Sequence, residues 1–122
     1  MTLVDLDADG VEELVVYAPF HGENLSVYRQ SGAGWECAWQ CDRTLEFLHA
    51  IWGGTLNGVP TALVGHRKGA RDLLALTCSG GEYRLECIDH DCGPANVEVF
   101  HSIGGDRVVA ANREIGEIAL YQ

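Results

Sequence analysis

The amino-acid sequence predicts an all-β fold made of β-propeller blades, about two and a half four-stranded antiparallel sheets that form a partial ring. Short apolar or alternating runs are separated by Gly, Asn, Asp and Pro, and helical periodicity is nearly absent. A repeat of about 48 residues with about four strands per unit is typical of propeller blades. The alternative is a complete small β-sandwich whose internal similarity is accidental.

The predicted strands are short and evenly spaced along the 122 residues. They divide into blade one (residues 1–42), blade two (43–90) and an incomplete blade three (91–122), each running from an inner strand to an outer one. Blade three stops after its third strand. In chain order the predicted strands are Thr2–Val4, Leu14–Tyr17, Leu25–Tyr28, Trp35–Trp39, Phe47–Trp52, Thr61–Val64, Leu73–Thr77, Tyr83–Ile88, Val97–Ile103, Arg107–Ala111 and Glu117–Tyr121.

The repeat appears when the chain is aligned with itself. Gly22 and Gly69 are 47 residues apart, as are Gly69 and Gly116, and Leu25–Tyr28 matches Leu73–Leu76 at an offset of 48. A propeller closes when each blade packs on the next, so an incomplete ring exposes two apolar faces and unpaired edges. We therefore expect the chain to be a piece of a longer protein or to complete its ring by self-association.

The composition excludes some classes of partner and leaves others open. A net charge of −10 and a pI near 4.7 provide no basic stripe for a nucleic acid, whereas they are compatible with cation binding. No apolar run is long enough for membrane insertion and no signal segment is visible. The five cysteines are an odd number without regular spacing, which favours free thiols in a reducing compartment, although Cys87 and Cys92 flank a turn and could bridge. These features favour the cytoplasm, whereas a fragment of a longer protein could be extracellular.

An acidic segment between the first two predicted strands has the spacing of a calcium loop. Oxygen-bearing side chains stand at its positions 1, 3, 5 and 9, with Gly10 at position 6 to allow the reversal. Calcium takes six to eight hard oxygen ligands, and alternate side chains of a tight turn can converge on one point. The predicted Ca²⁺ ligands are the side chains of Asp5, Asp7, Asp9 and Glu13 and the backbone carbonyl of Val11.

The segment is not an EF-hand, because its twelfth position is Val16 and its flanks are strand-like. The alternative to a metal site is an acidic hairpin that is simply solvated. Three alternating acids repel each other unless a cation lies among them, and this favours the metal site. We expect the ion to be structural, tying the inner strand to the second strand of its blade.

Residues Asp5-Leu-Asp-Ala-Asp-Gly-Val-Glu-Glu-Leu-Val-Val16, followed by Leu25-Ser-Val-Tyr28, resemble an FG-GAP/VCBS repeat, as in the propellers of integrin α-chains. The resemblance implies that the loop between the first two strands of the blade binds calcium. The corresponding stretches of the other blades, residues 54–60 and 103–107, lack the three acids, so we expect no metal there.

A second pattern involves histidine and arginine. His49-Ala-Ile51 and His101-Ser-Ile103 suggest a histidine at the same place in two inner strands, and an arginine recurs after two second strands. If these residues reach one face, they form a polar mouth on the central channel that would suit a sugar or a small carboxylate. The alternative is a repeated structural hydrogen bond, for example to the backbone of a neighbouring blade. The candidate binding residues are His49, Trp52, His66, Arg67, His101 and Arg113, whereas His21 and His90 are expected on the surface.

The segments His49-Ala-Ile-Trp-Gly-Gly54 and Gly65-His-Arg-Lys-Gly-Ala-Arg-Asp-Leu73 also resemble the propeller of fungal aldos-2-ulose dehydratase, a sugar lyase. The leading hypothesis is a calcium-stabilised propeller segment that acts as a non-catalytic binding module, with carbohydrate as a candidate ligand. The alternatives are a portion of a sugar-acting lyase that needs further blades, with His49 and His101 as acid and base, and a purely structural repeat.

Overall fold

The computed structural model describes residues 1–18 and 22–122, and this part of the chain is built from strands, with a single short 3-10 turn. Each predicted strand is present, with somewhat different bounds. In chain order the elements are β1 (Thr2–Val4), β2 (Glu13–Ala18), β3 (Asn24–Ser31), β4 (Gly34–Gln40), β5 (Leu48–Leu56), β6 (Val59–His66), β7 (Leu73–Ser79), β8 (Glu82–Asp89), β9 (Pro94–Phe100), β10 (Arg107–Asn112), the 3-10 turn (Arg113–Ile115) and β11 (Glu117–Tyr121).

The described strands form three open antiparallel sheets in which sequence neighbours pair. Blade one has the order β1-β2-β3-β4, blade two β5-β6-β7-β8, and blade three β9-β10-β11. Adjacent blades meet at their inner strands, because β5 contacts both β1 and β9. The predicted fold class is confirmed: the chain is all-β and consists of propeller blades in a partial ring. In the described part of the chain, no helix has the length and apolarity to cross a membrane.

Strand β9 differs most from its predicted bounds. It begins at Pro94, which pairs with Asn112 next to a β-bulge, and it ends at Phe100. Proline lacks an N–H, so it is tolerated at the first residue of a strand or at a bulge. Ile103, which was predicted to end this strand, lies fully exposed in the following turn.

The blades are held together by two apolar layers, one on each side of blade two. Alternate residues of β6 divide between them: Ala62 and Val64 pack toward blade one, and Leu63 packs toward blade three. Strand β6 is therefore apolar at consecutive positions, as expected for a strand buried on both faces. The first layer contains Val4, Leu6, Val15, Tyr17, Leu25, Val27, Leu45, Leu48, Ala62, Val64, Leu74 and Leu76, and the second contains Ala50, Leu63, Leu73, Cys92, Val97, Val99, Val108 and Ala110.

Two glycines mark the closest approaches between blades. A Cβ added at Gly53 of β5 would lie 2.6 Å from Thr2 Oγ1 in blade one. A Cβ added at Gly65 of β6 would lie 2.2 Å from Pro94 Cγ in blade three. Real Cβ atoms do not approach heavy atoms so closely, so the spacing of adjacent blades requires that these two positions carry no side chain.

Candidate metal centre and inter-blade polar residues

The acidic loop connects the antiparallel strands β1 and β2, which pair through Val4 and Glu13 at the base of the loop. The chain reverses through two residues with positive φ, Ala8 at 61° and Gly10 at 91°. Glycine adopts such angles without steric cost, whereas alanine does so only when its surroundings impose it. The loop is therefore a compact turn between two strands, as the sequence predicts.

Hydrogen bonds fold the aspartates back onto the backbone of their own loop. Asp5 accepts the N–H of Asp9 at 3.0 Å through Oδ1 and the N–H of Gly10 at 2.9 Å through Oδ2. Asp7 Oδ1 accepts the Asp9 N–H at 3.1 Å, and Asp9 Oδ1 accepts the Val11 N–H at 2.8 Å. These bonds hold the three carboxylates on the inner side of the turn.

Glu13 is the fourth and most buried carboxylate of the cluster. It is 2 % exposed, and its Oε2 accepts the N–H of Leu6 at 2.6 Å. Burial raises the pKa of Glu13, and the negative charges of Asp7 and Asp5 add to this effect, while the bond from Leu6 opposes it. The carboxylate is thus held in a place that disfavours its negative charge.

The four predicted side-chain ligands converge. One oxygen from each of Asp5, Asp7, Asp9 and Glu13 lies within 4.8 Å of the others. Calcium–oxygen bonds are about 2.4 Å long, so ligands on opposite sides of one ion are about 4.8 Å apart. No lysine or arginine among the described residues forms an ion pair with these carboxylates. The geometry and the donor set fit a hard divalent cation.

The negative charges of Asp7 and Glu13 act on a positive charge, the guanidinium of Arg29. Its Nη2 donates to Tyr83 Oη at 3.3 Å, while its Nε is buried without a hydrogen-bond partner. The pKa of Arg29 is raised first by the bond to Tyr83, and Asp7 and Glu13 contribute further. Arg29 therefore offsets part of the negative charge of the loop, but its guanidinium bonds elsewhere.

Comparison with known proteins yields no match. No family model, curated protein or solved structure corresponds to this chain.

His49 makes a structural hydrogen bond to the backbone of a neighbouring blade, which was the alternative to a role in a binding mouth. Its Nδ1 lies 2.6 Å from the backbone oxygen of Ala95 in blade three, and its own backbone oxygen accepts the hydroxyl of Tyr17 in blade one at 3.0 Å. The ring also stacks on Phe47, with centroids 6.1 Å apart. His49 thus links all three blades.

His66 is buried and has a fixed tautomer. Its Nδ1 lies 2.9 Å from the backbone oxygen of Lys68, and its Nε2 lies 3.2 Å from the backbone N–H of Asp72. A carbonyl only accepts and an N–H only donates, so Nδ1 carries the proton and the imidazole is neutral. His66 fixes the loop between β6 and β7 and does not line a mouth.

Of the remaining candidates, Arg67 is paired and Trp52 is packed against an apolar layer, whereas Arg113 is exposed. Arg67 Nε donates to Glu114 Oε1 at 2.8 Å, across blades two and three, and its guanidinium lies 5.0 Å above the Phe47 ring. Trp52 is half-buried against the second apolar layer. Arg113 is exposed, and its backbone N–H donates to the oxygen of Gly93.

His49 and His101 lie at opposite ends of the inner strands of blades two and three. His101 follows β9, and its Nδ1 lies 2.8 Å from Asp106 Oδ1. Asp106 in turn exchanges two bonds with Asn57, in the turn that ends β5. The bond from the Asn57 N–H to the Asp106 carboxylate, followed by the bond to His101, lowers the pKa of Asp106. His49 stands at the other end of β5, beside Leu48. The structure does not bring His49 and His101 together.

The predicted equivalence of His49 and His101 is therefore wrong, and the register of the hairpins explains why. Leu48 pairs with His66 in blade two, and Pro94 pairs with Asn112 in blade three, so these hairpins are offset by 46 residues instead of 52. His66-Arg67 and Asn112-Arg113 do occupy corresponding positions. His21 lies outside the described residues.

The five cysteines are free, so Cys87 and Cys92 do not bridge. Cys92 is 1 % exposed, and burial raises the pKa of its thiol to about 11. Cys87 is exposed and stands beside His90 and the buried Asp72. Their spacing in the sequence does not by itself connect these three residues.

Proposed function

We propose that this chain is a calcium-stabilised β-propeller segment of the FG-GAP/VCBS type and acts as a non-catalytic interaction module together with further blades or a second copy. The convergence of Asp5, Asp7, Asp9 and Glu13 within 4.8 Å carries the calcium part of the proposal. The spacing of these acids in the sequence and the strand-turn-strand context support it independently of their side-chain positions.

Calcium has a specific structural task at this position. The loop that carries the ligands also carries Leu6, which is 1 % exposed in the apolar layer between blades one and two. The Leu6 N–H bonds to Glu13, so an ion that fixes Glu13 also fixes Leu6. Without a cation, four adjacent carboxylates repel each other and favour an open loop. Calcium would therefore stabilise the packing of blade one on blade two.

Open sheet faces support the interaction part of the proposal. On blade one, Leu3 is 51 % exposed and Trp35 48 % exposed, on the side away from blade two. On blade three, Ile118 and Leu120 are 81 % and 55 % exposed, on the side away from blade two. In a propeller such faces are covered by the next blade. A carbohydrate ligand gains no support, because the predicted mouth does not form.

A calcium titration of the thermal unfolding tests the metal site. Calcium at 100 times its dissociation constant would add about 2.7 kcal/mol to the free energy of unfolding, which raises Tm by several degrees relative to EDTA. Asp7→Asn should remove most of this shift, because it takes one charged ligand from the cluster. The shift is measured by differential scanning fluorimetry with and without calcium.

Glu12→Gln is the matched control, since Glu12 lies in the same loop and carries the same charge but is outside the cluster. This variant should keep the full shift. An equal loss of the shift in both variants would mean that general acidity of the loop is responsible, and an unchanged Tm in EDTA would refute the site.

The lyase alternative receives no support from the geometry. His49 bonds to the backbone of blade three, His66 is neutral and buried, and His101 lies at the other end of the sheet. A general acid and a general base must both reach one substrate. The described residues do not bring these histidines to one place.

A further inference from the structure

Three unlike metal ligands meet on blade two, far along the chain from the acidic loop. They are the carboxylate of Asp72, the thiol of Cys87 and the imidazole of His90, whose ligand atoms lie within 4.8 Å of one another. His90 Nδ1 is 3.2 Å from Asp72 Oδ1 and 3.3 Å from Cys87 Sγ. Oxygen, sulfur and nitrogen in one cluster form a donor set typical of zinc.

The two separations from His90 Nδ1 agree with one ion among the three atoms. Zinc bonds to nitrogen and oxygen are about 2.0 Å long and those to sulfur about 2.3 Å, so two ligands of a tetrahedral ion are about 3.3 to 3.6 Å apart. The observed 3.2 and 3.3 Å are close to this range.

A β-bulge in strand β8 makes the cluster possible. Cys87 pairs with Leu74 and Asp89 pairs with Leu73, so Ile88 has no cross-strand partner. Leu74 belongs to the apolar layer facing blade one, and Leu73 to the layer facing blade three. Paired residues share a face, so Cys87 points to the side of blade one and Asp89 to the side of blade three.

The bulge brings Cys87 and His90 to the same side. In a regular strand, residues three apart lie on opposite faces. Here His90 follows Asp89 and returns to the face of Cys87, and Asp72, which precedes Leu73, lies on that face too. The spacing Cys-x-x-His thus becomes a chelating pair only because of the extra residue.

Asp72 is a buried carboxylate with few positive groups to balance its charge. Its side chain is 6 % exposed, and among the described residues no lysine or arginine pairs with it. His66, whose Nε2 is 4.0 Å from Asp72 Oδ2, is neutral because of its fixed tautomer. His90, whose side chain is 80 % exposed as predicted for a surface residue, stands in front of the carboxylate. A buried carboxylate requires a positive partner, and a metal ion bound in front of it would supply one.

We propose that Asp72, Cys87 and His90 form a site for zinc or a similar divalent transition metal. The ion takes the place of the proton between His90 Nδ1 and Asp72, and Cys87 binds as the thiolate after releasing its proton. The fourth position of a tetrahedral ion faces solvent, because Cys87 and His90 are exposed. The bound ion would link His90, in the connection between blades two and three, to Asp72, in the loop before β7. It is independent of calcium binding.

Cobalt(II) reports directly on such a site, because a tetrahedral cobalt–thiolate centre absorbs in the near ultraviolet and the visible. The full chain is stripped with EDTA, reduced and titrated with Co²⁺ in excess calcium, which occupies the hard oxygen site of the acidic loop. We expect a thiolate charge-transfer band that saturates at one equivalent and disappears when Zn²⁺ is added. Magnesium should not displace the cobalt, since it prefers oxygen ligands.

Variants then assign the ligands. Cys87→Ser should abolish the charge-transfer band, whereas Cys37→Ser, at an exposed cysteine on β4, should leave it intact. His90→Ala should weaken zinc binding at least about tenfold, with circular dichroism confirming that this exposed substitution leaves the fold unchanged.

A band that survives Cys87→Ser overturns the proposal. An absence of any band also overturns it and assigns Asp72 and His90 to a simple ion pair. Asp7→Asn, which tests the calcium loop, should leave the cobalt spectrum unchanged.

Discussion

At the scale of single residues, the contact between blades two and three depends on a chain of polar groups inside an apolar layer. The hydroxyl of Tyr121 donates to Asp89 Oδ2 at 2.6 Å and accepts from Asn112 Nδ2 at 3.1 Å. Asn112 is fully buried, and its bond to Tyr121 satisfies an amide N–H that water cannot reach, whereas its Oδ1 has no hydrogen-bond partner among the described residues. Burial, followed by the bond to Asp89, raises the pKa of Tyr121.

We expect Tyr121→Phe to destabilise the protein by about 1 to 3 kcal/mol, because Asp89 and Asn112 lose a buried partner. A raised pKa means that the folded state retains the proton, so the contribution of Tyr121 is complete below about pH 10, where the unfolded tyrosine begins to ionise. Above that pH the contribution declines. Urea unfolding should therefore show a constant difference between the two proteins up to about pH 10 and a smaller one above it.

Tyr28→Phe is the control, since Tyr28 lies on the outer face of blade one, away from this network. It should change the free energy of unfolding by less than about 0.5 kcal/mol. Equal effects of the two substitutions, or a difference that grows above pH 10, would contradict the role given to Tyr121.

At the scale of the strands, the position of β6 against β9 depends on one missing side chain. We expect Gly65→Ala to destabilise the protein by about 1 to 3 kcal/mol, because its Cβ would lie 2.2 Å from Pro94 Cγ and 3.1 Å from the Cβ of Ala50. The measurement is the free energy of unfolding in urea. Gly34→Ala in β4 is the matched control, since a Cβ there has no heavy atom within 4 Å and should be neutral or slightly stabilising. A Gly65→Ala variant as stable as the wild type would show that β6 and β9 are not tightly packed.

The strands were predictable from the sequence, whereas the alignment of their histidines was not. Alternating or continuous apolar runs bounded by turn residues located every strand, because burial on one or both faces dictates those patterns. The acidic loop was predictable as well, since its ligands are neighbours in the chain. Alignment by the short His-x-Ile pattern failed because the two hairpins are offset by 46 residues, whereas the two histidines are 52 apart. His49 therefore lies near the start of β5, and His101 follows the end of β9.

The cluster on blade two escaped prediction for a different reason. Its chelating pair depends on the bulge at Ile88, and simple strand alternation would place Cys87 and His90 on opposite faces. Its third member, Asp72, joins them only through the pairing of β7 with β8. A bulge leaves little trace in a single sequence, so the site becomes visible only in the folded chain.

At the scale of the whole molecule, the exposed apolar faces favour association between chains, whereas the net charge opposes it. The face of blade three away from blade two carries Val109, Ala111, Ile118 and Leu120, and such a face is covered in a closed ring. The charge of −10 opposes the association of two identical chains, and salt screens this repulsion. Association through the open faces should therefore strengthen as the ionic strength rises.

We expect sedimentation velocity of the 122-residue chain to show a concentration-dependent oligomer that is more abundant at 0.5 M than at 0.05 M salt. Replacing both Ile118→Lys and Leu120→Lys should abolish it, because two charges on the face would have to be desolvated in the contact. Ile103→Lys is the control: Ile103 is fully exposed in the β9–β10 turn, outside the sheet faces, so its change of charge should leave association intact. A folded monomer at all concentrations and salt levels would contradict association between copies, and the open faces would then need blades from elsewhere to cover them.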